Sequence, residues 1–85
     1  MMMAATVTLY GRDGCHLCDE AREAILALSA ELGSFELREV DIDRDDQLLS
    51  AYLERIPVVE LNGHQVSELE FDADAFRDAL HTVGP

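Results

Sequence analysis

The sequence predicts an α/β fold in which four strands and three helices follow one another as strand, helix, strand, helix, strand, strand, helix. Three observations carry this. Runs rich in β-branched and aromatic residues alternate with segments whose apolar residues recur at helical spacing. Glycine, proline or Asn-Gly punctuates the joints. The chain has 85 residues, 48% of them apolar, which suits one compact core.

Thr6-Val7-Thr8-Leu9-Tyr10 reads as the first strand, and Gly11-Arg12-Asp13-Gly14 breaks it. From Cys15 the period changes. Leu17, Ala21, Ala24, Ile25, Leu28 and Leu32 recur at helical spacing, Asp19, Glu20 and Glu23 lie on the other side, and Gly33 stops the helix. Phe35 to Ile42 is a second strand. Its apolar phase shifts between Leu37 and Val40, which a bulge or burial on both faces would each explain. Asp45-Asp46 opens a short helix carrying Leu48, Leu49, Tyr52 and Leu53. Pro57 ends it, because the residue before a proline avoids the helical region. Val58 to Leu61 is a third strand, Asn62-Gly63 a strong two-residue hairpin signal, and Val66 to Phe71 the returning strand. Asp72 can cap a last helix that turns Phe76, Ala79, Leu80 and Val83 inward.

The first three elements make a right-handed parallel unit, and the late hairpin is antiparallel. No repeat, linker or low-complexity stretch divides the chain, so the expectation is one domain over 1–85 with its ordered core at about 6–83.

Six basic against 18 acidic residues give a formal charge of -12. Nucleic acid and anionic membrane surfaces would be repelled. What remains is solubility, or a preference for basic partners. No apolar run approaches the ~20 residues of a membrane span. Met1-Met2-Met3-Ala4-Ala5 lacks the basic and apolar regions of a secretory signal, so the expected location is the cytoplasm. In that reducing compartment two cysteines are poor candidates for a structural staple.

Cys15-His16-Leu17-Cys18 falls between the first strand and the first helix. The two-residue spacing lets the sulfurs close a small disulfide, Cys15–Cys18. The helix start supplies free N–H groups and a dipole that favour a thiolate at Cys15. A thiolate attacks a disulfide, and a second thiol resolves the mixed disulfide. Two inert packing cysteines, or half of a metal site, are the competing readings. A closed zinc site needs about four ligands, and the chain adds only His16, His64, His81 and carboxylates, so no metal is expected within one chain. His16 is either a modulator of the thiolate or an incidental surface residue. Ile56-Pro57 is either a plain helix stop or a cis bond. In the second case it would face the cysteines and offer the backbone of Ile56 to an extended substrate.

Val7-Thr8-Leu9-Tyr10-Gly11, Gly14-Cys15-His16-Leu17-Cys18, Val40-Asp41-Ile42-Asp43 and Arg55-Ile56-Pro57-Val58-Val59 with Asn62-Gly63 together resemble the glutaredoxin-like branch of the thioredoxin superfamily. The likeness runs from about Thr6 to about Val83, and is nearest to short members with Cys-His-Leu-Cys. It implies a thioredoxin-like fold, a mixed sheet in the order 2-1-3-4, and a site at the carboxyl end of the first strand. It implies Cys15 as nucleophile, Cys18 as resolving thiol, and a cis Pro57. It also implies that Arg12 stands where family members meet the glutathione carboxylate.

Two departures matter. His16 and Leu17 replace the Pro and Tyr of Cys-Pro-Tyr-Cys. Val66-Ser67-Glu68-Leu69-Glu70-Phe71-Asp72 has no counterpart of the Gly-Gly pair that lets glutathione approach the backbone. Dithiol chemistry carries over better than glutathione, itself an anion, and no tightly bound cofactor is expected. The leading reading is a monomeric thiol–disulfide oxidoreductase or electron carrier. It would act on protein or small-molecule disulfides, with a reductase system or glutathione as electron donor. The other reading is a non-enzymatic module of the same fold, binding a partner protein or a metal or iron–sulfur cluster bridged through Cys15.

Overall fold

A computed structural model describes residues 5–33 and 35–83. The elements are β1 (Ala5–Gly11), α1 (His16–Leu32), β2 (Phe35–Asp41), a 3-10 turn at Ile42–Arg44, α2 (Asp46–Tyr52), β3 (Val58–Leu61), β4 (His64–Glu68) and α3 (Ala73–Val83). One sheet holds the strands in the order β2-β1-β3-β4. β1 and β2 run parallel, from Ala5 opposite Phe35 to Gly11 opposite Asp41. β3 is antiparallel to both β1 and β4. This is the 2-1-3-4 order that the resemblance implies.

Local chemistry sets the joints. Gly33 ends α1 at φ 62°, its N–H donating to Ser29 O at 2.8 Å. Asp45 caps α2 by accepting from the N–H groups of Gln47 and Leu48, and Asp72 does the same for α3 through Ala75. Asn62 and Gly63 both take positive φ, 51° and 86°, as a primed two-residue hairpin turn requires. Asn62 also exchanges hydrogen bonds with the backbone of Thr6, which ties the hairpin to the start of β1.

The two faces of the sheet differ. On one, Val7 and Leu9 of β1 and Val59 and Leu61 of β3 meet Ala21, Ile25 and Leu28 of α1 and Phe76 of α3 in an apolar core. Phe35, Phe71, Ala79 and Leu80 close its margin, and Phe35 and Phe71 contact the Phe76 ring at centroid distances of 5.4 and 5.6 Å. On the other face, next to α2, Tyr10 stacks on Tyr52 at 4.7 Å and Arg55 sits over the Tyr52 ring at 5.2 Å. The Tyr10 hydroxyl donates to Glu60 Oε1 at 3.2 Å. Burial, and then the Glu60 charge, push the Tyr10 phenol above its ordinary range.

Several expectations are corrected. Leu17 does not face inward: it is 43% exposed, and Cys18, at 2%, takes the inner position one residue on. The buried series is Cys18, Ala21, Ile25, Leu28, so a stripe begun at Leu17 starts one residue out of phase. Leu32, in the last turn of α1, is also exposed. Ile42 belongs to the 3-10 turn rather than to β2, and is buried there. β4 begins at His64, two residues earlier than expected, because the tight turn sets Leu61 opposite His64 at once; it ends at Glu68. The phase shift in β2 is burial on two faces, with Leu37 against the core and Val40 half-buried opposite Tyr10. The bulge lies instead in the β3–β4 hairpin, where the register slips between Val59 and Glu60. The inward position expected of Val83 lies outside the described side chains. No helix among the described residues is long and apolar enough to cross a membrane.

Candidate functional site

The carboxyl end of β1 delivers the chain to the start of α1. Cys15 is the N-cap residue of that helix, in extended conformation at φ -91° and ψ 104°. Its Sγ accepts from the Cys18 N–H at 3.1 Å, and its carbonyl accepts from Asp19 N at 3.1 Å. A capping side chain ordinarily uses oxygen for this bond. Here sulfur takes the place of oxygen, where the N–H and the helix dipole both favour negative charge. Cys15 and Cys18 face each other with Cα atoms 5.2 Å apart and their sulfurs joined as a disulfide. Cys15 is half-buried and Cys18 buried, so Cys15 is the more accessible residue of the pair.

Gly11 makes this arrangement fit. A Cβ there would lie 3.0 Å from Cys18 Sγ and 3.2 Å from Cys18 Cβ. The sequence marks Gly11 as a strand breaker, but it still lies in β1, and its role is to let Cys18 rest on the backbone.

Sheet register brings Pro57 to the same level. Tyr10 stands opposite Val58, so the next antiparallel step sets Pro57 opposite Gly11. The Ile56–Pro57 bond is cis, and Pro57 is buried. The backbone of Ile56 is not wholly free, however. Its N–H donates to Tyr52 O at 3.0 Å, so only the carbonyl can serve an incoming strand. Leu69 lies beyond Pro57, and its N–H reaches both Pro57 O and Arg55 O at 3.0 Å.

Nothing in the sequence singles out Leu69 as a site residue. It follows β4 in the left-handed region at φ 68° and is 50% exposed. A bulky residue with positive φ is uncommon. The turn after β4 therefore places an exposed apolar side chain beyond Pro57. No sequence pattern distinguishes such a residue from an ordinary strand leucine.

The remaining candidates carry charge. Arg12 pairs with Asp43 at 3.2 Å, both side chains 38% exposed, so its guanidinium is already engaged. His16 projects into solvent, 87% exposed, 3.6 Å from Glu20. A cleft of about 750 Å³ opens beside Gly11 and Cys18, toward β2 and α2. Its other arginines are likewise paired: Arg22 with Asp19 and Glu39, and Arg44 with Asp41. The hydrogen bonds to Glu39 and Asp19 raise the affinity of Arg22 for its proton further. On the Pro57 side, Arg55 binds Glu68 at 2.8 Å and also Gln65. The Arg55 hydrogen bond holds the Glu68 carboxyl below the usual carboxylate range. Among the described residues, no three His, Cys, Asp or Glu side chains converge as a metal site.

A four-stranded mixed sheet with a Cys-x-x-Cys at the first helix start and a cis proline beside it defines a thioredoxin-like protein. The family is more specific: the model of the glutaredoxin-like domain (DUF836) matches residues 6–81, and the chain belongs to that family. Protein Ne2328 from Nitrosomonas europaea is similar at 26% identity and a TM-score of 0.80, over 93% of this chain and 94% of that one. Protein XcR50 from X. campestris shares 42% identity at a TM-score of 0.69, over 92% and 99%. A mutant thioredoxin from Halobacterium salinarum shares 25% identity at a TM-score of 0.66, over 98% and 80%. No curated protein matches the chain.

Proposed function

We propose that this chain is a thiol–disulfide oxidoreductase working through the Cys15–Cys18 couple. The observation that supports it most is Cys15 at the N-cap of α1, with its Sγ accepting the Cys18 N–H while Cys18 lies buried on Gly11. In the reduced protein the Cys15 thiolate attacks one sulfur of a substrate disulfide. A Cys15–substrate bond forms and the other sulfur leaves as a thiolate. The Cys18 thiol gives up its proton and attacks Cys15 Sγ, releasing the second substrate sulfur. Two electrons pass to the substrate, two thiols result after protonation, and the Cys15–Cys18 disulfide closes. A dithiol of a reductase system, closing its own disulfide, or two molecules of glutathione, leaving as one glutathione disulfide, would supply the two electrons that reopen it. In this reading Cys15 is nucleophile and Cys18 resolving residue. Pro57 and the Ile56 carbonyl position the substrate. His16, exposed beside Cys15, modulates at most. The pair of Arg12 with Asp43 supports a protein that does not retain glutathione.

The test is a single turnover. Pre-reduced protein is mixed with hydroxyethyl disulfide and the thiols are counted by alkylation and mass. The expected result is loss of two thiols in the wild type, no reaction in Cys15→Ser, and a trapped mixed disulfide in Cys18→Ser. The reduction potential should lie near those of cytosolic dithiol proteins. A potential far below that range, or reaction that survives Cys15→Ser, overturns the proposal. So does a coloured, cluster-bearing protein held through Cys15.

A further inference from the structure

We propose, resting on the redox reading above, that the substrate disulfide is carried on an exposed cationic polypeptide segment, which seats an apolar side chain on Leu69 while its charges lie over the acids around Cys15. Two independent features of the disulfide face lead there.

The first is the cost of Leu69. A leucine held at φ 68° is in a conformation that glycine would adopt freely, and half of its surface is open to water. Its position is fixed from behind, by N–H bonds to the carbonyls of Pro57 and Arg55, on the backbone level that register assigns to Gly11 and Pro57. Neither backbone ease nor core packing accounts for an apolar side chain there. Contact with a partner does. Leu17, exposed between the cysteines, offers the same kind of surface on the α1 side.

The second feature is the balance of charge. All six cations of the chain are arginines, and those nearest the disulfide are engaged: Arg12 by Asp43, Arg22 by Asp19 and Glu39, Arg55 by Glu68. Asp13, two residues before Cys15, and Glu70, next to Leu69, are exposed acids without such a partner among the described residues. With a formal charge of -12 on the whole chain, the field at this face attracts cations and repels anions. A glutathione-like anion is disfavoured at the same face that a basic segment would approach quickly.

The occupant follows from both. An apolar anchor asks for a side chain larger than a small-molecule disulfide presents, and an acidic rim asks for lysine or arginine on either side of the reacting cysteine. The Ile56 carbonyl supplies one acceptor for the backbone of such a segment.

The experiment uses the pre-reduced full chain and three disulfide-linked peptide dimers of equal length. One carries Leu with flanking Lys, one Leu with flanking Glu, and one Ser in place of Leu with flanking Lys. Hydroxyethyl disulfide is the neutral reference. At low ionic strength the Lys–Leu peptide should react roughly tenfold or more faster than the Glu–Leu peptide, at the lower end of what electrostatic steering provides. Added salt should close that gap. Leu69→Gly should abolish the advantage of the Lys–Leu over the Lys–Ser peptide without lowering the melting temperature. Leu26→Ala, at an exposed position on the flank of α1, should leave every rate as it was. Equal rates for Lys and Glu peptides overturn the charge assignment. A Leu-to-Ser ratio that survives Leu69→Gly overturns the anchor. If hydroxyethyl disulfide oxidises the pair while the peptides show neither preference, this inference alone fails. If no disulfide oxidises the pair, the redox reading fails with it.

Discussion

The two faces of the sheet are built on different principles. Against α1 and α3, buried Val, Leu, Ile and Phe side chains meet, with the Ser67 hydroxyl buried beside them opposite Val59, and the removal of the apolar groups from water holds the layers together. Against α2, the column Glu60, Tyr10, Tyr52, Arg55, Glu68 is joined by a hydroxyl bond, a ring stack, a cation over a ring and an ion pair. Each of those is worth little alone and each is directional. The α1 and α3 face therefore supplies the larger share of stability, with Val58 a fully buried apolar side chain on the Tyr10 side. The polar face fixes the height and angle at which α2 hands the chain to Ile56 and Pro57, since Tyr52 O also holds the Arg55 and Ile56 N–H groups.

Phe76→Ala should break this contrast most visibly. It removes the centre of the apolar face and should cost ~3–5 kcal/mol, measured by urea unfolding; a loss below about 1 kcal/mol would mean the core is elsewhere. Tyr52→Ala strikes the polar face. It should cost about 1–2 kcal/mol and should slow reaction with peptide disulfides more than the stability loss explains, as read from single-turnover rates under native conditions. Leu69→Gly, where the faces meet beyond Pro57, should change stability in the opposite sense, with a gain of up to about 1 kcal/mol as the left-handed backbone is relieved. The smallest effect concerns pH. The Arg55 hydrogen bond depresses the Glu68 carboxyl from its ordinary value of 4.5. Its contribution is therefore complete above that ordinary value and is lost as the pH falls through the lower folded value. Glu68→Gln should flatten that part of the acid-unfolding curve, and an unchanged curve would remove the pair from the account of stability.

Much of the fold is legible because several signals agree at each joint. Val58 to Leu61 with Asn62-Gly63 can be placed to the residue, since turn chemistry and strand pattern coincide there. β4 is harder to place because His64 and Gln65, on an exposed edge, carry no apolar alternation, while Leu69 and Phe71 look like strand residues and belong to the turn that follows. Leu17 reads as inward because leucine outranks cysteine as a core residue in pattern reading, yet the disulfide requires Cys18 to point toward β1. The cysteines and Pro57 are legible as types and spacing. The tie between Ile56 N–H and Tyr52, the engagement of Arg12 by Asp43 and the left-handed Leu69 depend on contacts across the fold, which local sequence does not encode.

The seat of Cys18 on Gly11 determines where a change of redox state must be felt. Two sulfurs that are no longer bonded need more room than two that are. Cys18 Sγ has the backbone of β1 close behind it and cannot retreat, whereas Cys15 is at a helix terminus open to water. Reduction should therefore move the outer sulfur and leave the interior where it was. Oxidised and reduced forms would then share one core and differ only in the surface shown around Cys15.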